Sequence, residues 1–284
     1  MKPMKSVFSA LRTITTLVVA TLSFAASAQR APYTVAVVPQ FRAEEIHRVW
    51  APLLERLGKE TGQTFTLSVA SSIPAFEEAM LAGRPDFAYM NPYHQVMGMR
   101  AQAYVPLLRD SKPLTGILVV RKDDPIKSVK ELDGRQIAFP APNAFGASLW
   151  IRALLEKRDG VKIKPVYVKT HSNAYRHAAT GLSAAAGGIE STLGEEPAEM
   201  QSALRVLLET PGVPPHPLSA HPRVPPATQR AVTEALLRMA ADPSLKALMG
   251  DIPWTSVVRA DYNRDYKPLE KFGLEEYVVR APPP

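Results

Sequence analysis

Apolar positions along the chain switch between two spacings. Residues 33–38 (YTVAVV) are apolar and β-branched and stop at Pro39, the pattern of a buried strand. Ile46, Trp50, Leu53, Leu54 and Leu57 then recur at helical intervals, which places them on one face of an amphipathic helix ended by Gly62. A strand over 65–69, a helix over 73–82 with Pro74 in its first turn, a strand over 86–90 and a helix opening at Tyr93 continue the series. A second series starts near Thr115. It predicts a strand over 116–121, a short helix over 126–132, a strand over 136–139 and a helix over 145–157. A strand over 165–168, a helix around 173–180, a small-residue strand over 183–188 and a strand over 204–208 follow. Proline clusters at 211–217 and 222–226 then form a stiff extended connection, and the C-terminal part is helical, led by 228–241. Strands alternating with helices predict an α/β protein built on parallel sheet with helices on both faces.

Two such series exceed one compact core, so the expectation is two lobes. Residues 29–114 and 211–284 form the first and 115–210 the second, with strands 116–121 and 204–208 as the crossovers. Residues 1–28 stand apart. They carry Lys2, Lys5 and Arg12, no acid, and an apolar run from Ile14 to Ala26. That run is shorter than the ~20 residues a membrane-spanning helix needs. It ends in Ala26-Ser27-Ala28, a small-x-small site, so a cleavable export leader and a periplasmic mature chain are expected.

The leader holds three of the 34 basic residues and none of the 27 acidic ones, so its removal takes the formal charge from +7 to +4. An excess that small suits an anionic small molecule, and no basic run interleaved with aromatics points to nucleic acid. The absence of cysteine excludes disulfides, thiolate metal sites and a cysteine nucleophile. No Gly-x-Ser-x-Gly, His-Glu-x-x-His, phosphate loop or Gly-x-Gly-x-x-Gly is present, and the histidines lack a metal-ligand spacing. The expectation is therefore a binding protein without metal or cofactor, and not an enzyme. The 27 prolines, nearly twice the usual share of about 5%, fit many rigid connections.

Candidate chemistry sits where strands hand over to helices, because helix starts present unpaired N–H groups and the positive end of the helix dipole. Ser71 and Ser72 precede one helix. Asn143, Ala144, Phe145 and Gly146 open another, and His171, Ser172 and Asn173 a third. Gln40 follows the first strand and Tyr93 the third; Glu190 is a candidate partner for an amine.

Four segments occur in a familiar order: DFAYMNPY at 86–93, SVKELDG at 128–134, FPAPNAFG at 139–146, and HSNA at 171–174 followed by Thr180-Gly181. Together they resemble the periplasmic solute-binding proteins of phosphate, phosphite and phosphonate ABC transporters, over residues 33–262. The resemblance implies a two-lobed type II periplasmic binding fold with two crossover strands, which closes on a phosphonate-like, oxyanion-bearing solute and docks on a membrane permease. The expected partners are that small molecule and the permease, with the chain itself a monomer; the same closure would serve a sensor signalling to a membrane kinase. Tyr93 and His171 match the family motif. Ala144-Phe145-Gly146-Ala147 stands where the family carries Ser-x-Ser-Gly, Leu182-Ser183-Ala184 follows Gly181 where an acid is usual, and Ile73 replaces a tyrosine. The missing hydroxyls predict weak or absent binding of simple alkylphosphonates.

Overall fold

Two mixed sheets organise the chain. The computed structural model describes residues 31–250, 252, 254 and 256–279, and the leader expected over residues 1–28 lies outside them. In chain order the elements are β1 (Tyr33–Val37), α1 (Ala43–Thr61), β2 (Phe65–Val69), α2 (Ile73–Leu81), β3 (Phe87–Tyr89), α3 (Pro92–Gln102), β4 (Val105–Asp110) and β5 (Gly116–Arg121). After a 3₁₀ turn come β6 (Gln136–Phe139), a π-helical turn at Phe145–Leu149 running into α4 (Trp150–Lys157), β7 (Lys164–Tyr167) and α5 (His171–Ala179). Then follow β8 (Ala185–Ile189), α6 (Glu190–Gly194), α7 (Ala198–Ala203), β9 (Leu204–Glu209), β10 (Pro217–Ala220), α8 (Pro226–Ala241), α9 (Lys246–Gly250) and β11 (Val257–Arg259).

The first sheet has the order β11-β4-β10-β3-β1-β2 and the second β7-β6-β8-β5-β9. β2, β1 and β3 run parallel, as do β7, β6 and β8. β10 is antiparallel to β3 and β4, β11 to β4, and β5 to both β8 and β9. The sheets are thus mixed where the alternation of strands and helices predicts parallel ones. The difference arises where the chain changes sheet, because β5 and β10 enter from the crossing segments and not from a helix of their own sheet. Those segments, residues 111–115 and 210–216, bond to each other: Leu114 N–H donates to Val213 O at 2.8 Å and Val213 N–H to Leu114 O at 3.1 Å.

The strands that hydropathy misses have readable causes. β4 carries Pro106, and its pairing with β10 shifts register at Leu218/Ser219, a bulge that lets the proline into an interior strand. β10 lies inside the proline-rich connection. Pro217 starts the strand, and its carbonyl accepts from Met90 N–H at 3.1 Å, so the missing proline donor costs nothing there.

α1 is amphipathic as its spacing predicts: Ile46, Val49, Trp50, Leu53, Leu54 and Leu57 are buried, and Gly62 caps it in the left-handed conformation at φ 65°. In the second sheet, β8 (AAGGI) is buried along its whole length. Its glycines admit a layer on each face. A Cβ on Gly187 would lie 1.9 Å from Ala147 O, and one on Gly188 would lie 2.0 Å from the Tyr175 hydroxyl. The π-helical turn and α5 therefore press onto opposite faces of one strand.

One apolar cluster is common to both halves. Tyr93 of α3 stacks on Phe145 at 6.4 Å and 8°, Phe145 on Trp150 at 5.4 Å and 22°, and Trp150 on Phe272 at 4.9 Å and 26°. The chain end reinforces the column. Arg152 donates to the Tyr277 carbonyl at 2.8 Å, Lys157 to the Gly273 carbonyl at 3.1 Å, and Asn143 exchanges hydrogen bonds of 2.8 and 2.9 Å with the Val279 backbone.

Candidate functional site

Strand ends and helix starts of both sheets meet around a cleft with two compartments. The wide one, about 890 Å³, is bounded by Gln40 and Phe41 after β1, the crossing segments, α6 and the C-terminal helices. The narrow one is a recess of about 20 Å³ lined by Val38, Gln40, Ile73, Asn91, Leu114, Ala144, Phe145, Gly146, Ala147, His171, Ile189 and His216. Gln40, Leu114, Ile189 and His216 border both, so the recess opens off the cleft.

Helix starts converge on the recess. Ile73 is the first residue of α2, Phe145 to Ala147 begin the π-helical turn leading into α4, and His171 begins α5. Asn91 is the N-cap of α3, its Oδ1 accepting from His94 N–H at 2.8 Å. Backbone N–H groups in a first turn have no partner within the helix, and the dipoles add positive potential. The residues around the recess thus come from both sheets and favour an electron-rich guest.

Glycine packing fixes this arrangement. A Cβ on Gly116 would lie 2.2 Å from Gly146 O, which shows how closely β5 supports the loop at Ala144–Gly146.

Two imidazoles line the recess. His171 is 4% exposed, its Nδ1 lies 3.2 Å from the Thr192 hydroxyl, and burial lowers its pKa to about 4. His216 is 6% exposed and stacks on Tyr89 at 5.5 Å, and its ring nitrogens have no hydrogen-bond partner among the described residues. Burial, then the neighbouring His94 and His171, lower its pKa to about 3. Both rings are neutral at ordinary pH, each with one donor and one acceptor nitrogen.

These shifts set a pH dependence. Each imidazole takes up a proton on unfolding between the ordinary histidine value of 6.5 and its lowered folded value, so the unfolded state binds more protons there and stability falls with falling pH. Above that window the two contribute no slope. Urea titrations are expected to show a loss approaching 2–3 kcal/mol per pH unit, roughly two protons, between about pH 6 and 4.5. Stability that is level over this interval would contradict the burial of the two rings.

The wide compartment has the opposite polarity. Among the described residues its walls carry Asp110, Glu190, Glu195 and Asp242 against Lys112 and Lys246. Lys112 lies 3.7 Å from Glu190. Burial, then Glu45 and Glu196, raise the Glu195 pKa. The cleft is therefore polarised, with positive potential in the recess and negative walls outside it.

The residues that the sequence marks as candidates divide. Gln40, Ala144, Phe145, Gly146 and His171 line the recess, and Gln40 and Glu190 the wide compartment. Ser72 accepts from Ala75 N–H at 3.3 Å as the cap of α2, and Ser71 and Ser72 are exposed outside both compartments. Ser172 donates to Glu196 at 2.5 Å and Asn173 to the Val168 carbonyl at 2.8 Å. Asn143 is 2% exposed and donates to Glu77 Oε2 at 2.8 Å, joining the two halves. Tyr93, 1% exposed, spends its ring in the aromatic column. His216, Asn91 and Asp110 also line the cleft, and the sequence does not single them out. For His216 the available signal was its place between Pro215 and Pro217 in the connection between the halves.

Comparison with known proteins places this geometry. Residues 35–266 match the family model for the periplasmic substrate-binding protein of phosphonate ABC transporters. A curated relative, the phosphate-import protein PhnD of Mycolicibacterium smegmatis, is 26% identical over 137 residues, 45% of this chain and 43% of that protein, so the match spans less than half its length. PhnD1 of Prochlorococcus marinus, solved in complex with methylphosphonate, superposes with a TM-score of 0.77 at 13% identity, covering 87% of this chain and 98% of that one. A binding protein component of an ABC phosphonate transporter from Pseudomonas aeruginosa gives 0.75 at 14% identity, covering 85% of each chain. At these identities the likeness establishes the fold, a type II periplasmic binding architecture.

Proposed function

The chain belongs to the family of periplasmic substrate-binding proteins of phosphonate ABC transporters, and on that premise we propose that it captures a small oxyanion-bearing solute between its sheets and delivers it to a membrane permease. The observation that carries the reading is the convergence of helix starts from both sheets on one recess. A guest held there touches both halves at once, which couples its binding to their relative position.

Polarity sets the orientation of the guest. Its oxyanion enters the recess toward backbone N–H groups, and its remainder, neutral or cationic, lies against the acidic walls of the wide compartment. The paired crossing segments at residues 111–115 and 210–216 serve as the hinge, and the aromatic column is the joint about which the halves rock. Export through a leader cut after Ala28 belongs to the same reading, supported by the apolar run and the small-x-small site, as does a monomer that engages no nucleic acid.

The test is a thermal-shift screen of the mature protein against phosphate, phosphonates, sulfonates and small carboxylates with and without an amino group. A solute present at 100 times its dissociation constant stabilises the native state by about 2.7 kcal/mol, a readily measured rise in melting temperature. Selective stabilisation by an oxyanion-bearing member, abolished when Gln40 and His216 are both replaced by alanine, is the expected result. Equal response of parent and double variant would place the binding elsewhere.

A further inference from the structure

Resting on the cleft as the solute site, we infer that Phe145 determines specificity by closing the recess to tetrahedral oxyanions, so that the chain takes a solute whose anionic group is a planar carboxylate.

The recess measures about 20 Å³, against about 10–15 Å³ for the smallest cavity that holds a single water. A carboxylate can insert one oxygen into such a space. A phosphonate or phosphate that inserts one oxygen leaves its other two or three splayed outside, where they find no helix-start N–H group, whereas the flat carboxylate leaves only one. Phe145, 2% exposed, is the largest side chain among the lining residues and stands at the start of the helix whose first-turn N–H groups would meet the guest.

Phe145 is also held in place on several sides. Its ring is stacked between Tyr93 at 6.4 Å and Trp150 at 5.4 Å, with interplanar angles of 8° and 22°. The backbone beside it is pinned from below, since a Cβ on Gly116 would fall 2.2 Å from Gly146 O and one on Gly187 1.9 Å from Ala147 O. Neither ring nor loop can move aside without opening the core common to both halves.

The rest of the recess is suited to a guest of the smaller kind. His216 lies 94% buried on its wall with no hydrogen-bond partner for its ring nitrogens among the described residues, and His171 and Asn91 lie beside it. A carboxylate that accepts from a helix-start N–H and from one neutral imidazole leaves few polar groups there unmatched.

The experiment compares the parent with Phe145→Ser and Phe145→Val in the full mature chain, by thermal shift and calorimetry. The probes are inorganic phosphate, methylphosphonate, acetate, lactate, succinate and β-alanine. The parent is expected to respond to at least one carboxylate and to neither phosphorus compound. Both variants remove the ring and are expected to bind phosphate at least about tenfold more tightly than the parent, the serine variant more strongly because it adds a hydroxyl donor. The valine variant keeps an apolar group in the column and carries the test if the serine variant does not melt cooperatively. Tight phosphate or methylphosphonate binding by the parent would overturn the inference, as would folded variants that gain nothing while the parent still binds a carboxylate. If no probe stabilises any of the three proteins, the cleft itself is not the solute site and the functional reading falls with it.

Discussion

Replacing Gly187 with alanine is expected to destabilise the protein by about 3–5 kcal/mol, lowering its melting temperature by roughly 10 °C or more. The added methyl would lie 1.9 Å from Ala147 O and 2.5 Å from Phe139 Cδ1. Neither neighbour is the free end of a flexible side chain, so the strand or the helix start must move. β8 is held between β6 and β5, which leaves the helix start to give way, and with it the wall of the recess. The variant should therefore lose solute response as well as stability. Gly194→Ala is the control, because no atom lies within 4 Å of its Cβ position, and it should change stability by no more than about 0.5 kcal/mol. A Gly187→Ala protein that melts within about two degrees of its parent would refute the close packing described for β8.

The second large effect is expected at the buried polar contact between the halves. His94 is fully buried, and its Nε2 lies 2.8 Å from Oε1 of Glu77, itself 6% exposed. Glu77 Oε2 accepts from Asn143 Nδ2 at 2.8 Å, and Asn91 Nδ2 donates to the Asn143 carbonyl at 3.2 Å. His94→Leu leaves a buried carboxylate with one of its two protein donors and should cost about 3–5 kcal/mol in urea unfolding. Glu77→Leu combined with His94→Leu removes charge and donor together, and Asn143 keeps its bonds to Val279. The double variant is expected to recover a large part of the loss, the signature of coupling between contacting groups. Additive losses, or a single-variant cost below about 1 kcal/mol, would show that His94 and Glu77 are not energetically coupled.

Legibility from sequence followed the source of each element's stability. β1, β2, β5, β6 and α1 were readable because each carries its own periodic apolar pattern. α2, α3 and α5 were readable from their caps, with Pro74 and Asn91-Pro92 marking two of the starts. β4, β10 and β11 carry no such pattern; partners far along the chain make them strands, as Pro106 and Pro217 illustrate. The direction of pairing was hidden for the same reason, since antiparallel entry of β5 and β10 depends on how the chain crosses between sheets.

The site divides on similar lines. Helix starts are local features, and the sequence placed His171 and the Ala144–Gly146 segment at them. Whether a polar group there faces solute or a neighbouring helix depends on the opposite half, so Asn143 emerged as a bridge to Glu77 and the chain end, and Tyr93 as part of a stack. His216 carried only the weak signal of its place between Pro215 and Pro217, because no local pattern draws it to the recess. It arrives there because the following strand is inserted between β3 and β4.

Residues 272–279 belong by connection to the first sheet's half, yet Phe272, Gly273, Tyr277 and Val279 are all fastened to side chains of the second. The tail works as a seat belt across the two halves. A nonsense codon just beyond Tyr266 would spare the eleven strands of the described residues and every wall of the recess. Its product would keep those walls and lose the straps fastened to the second sheet's half, and should be nicked by proteases sooner than the full chain.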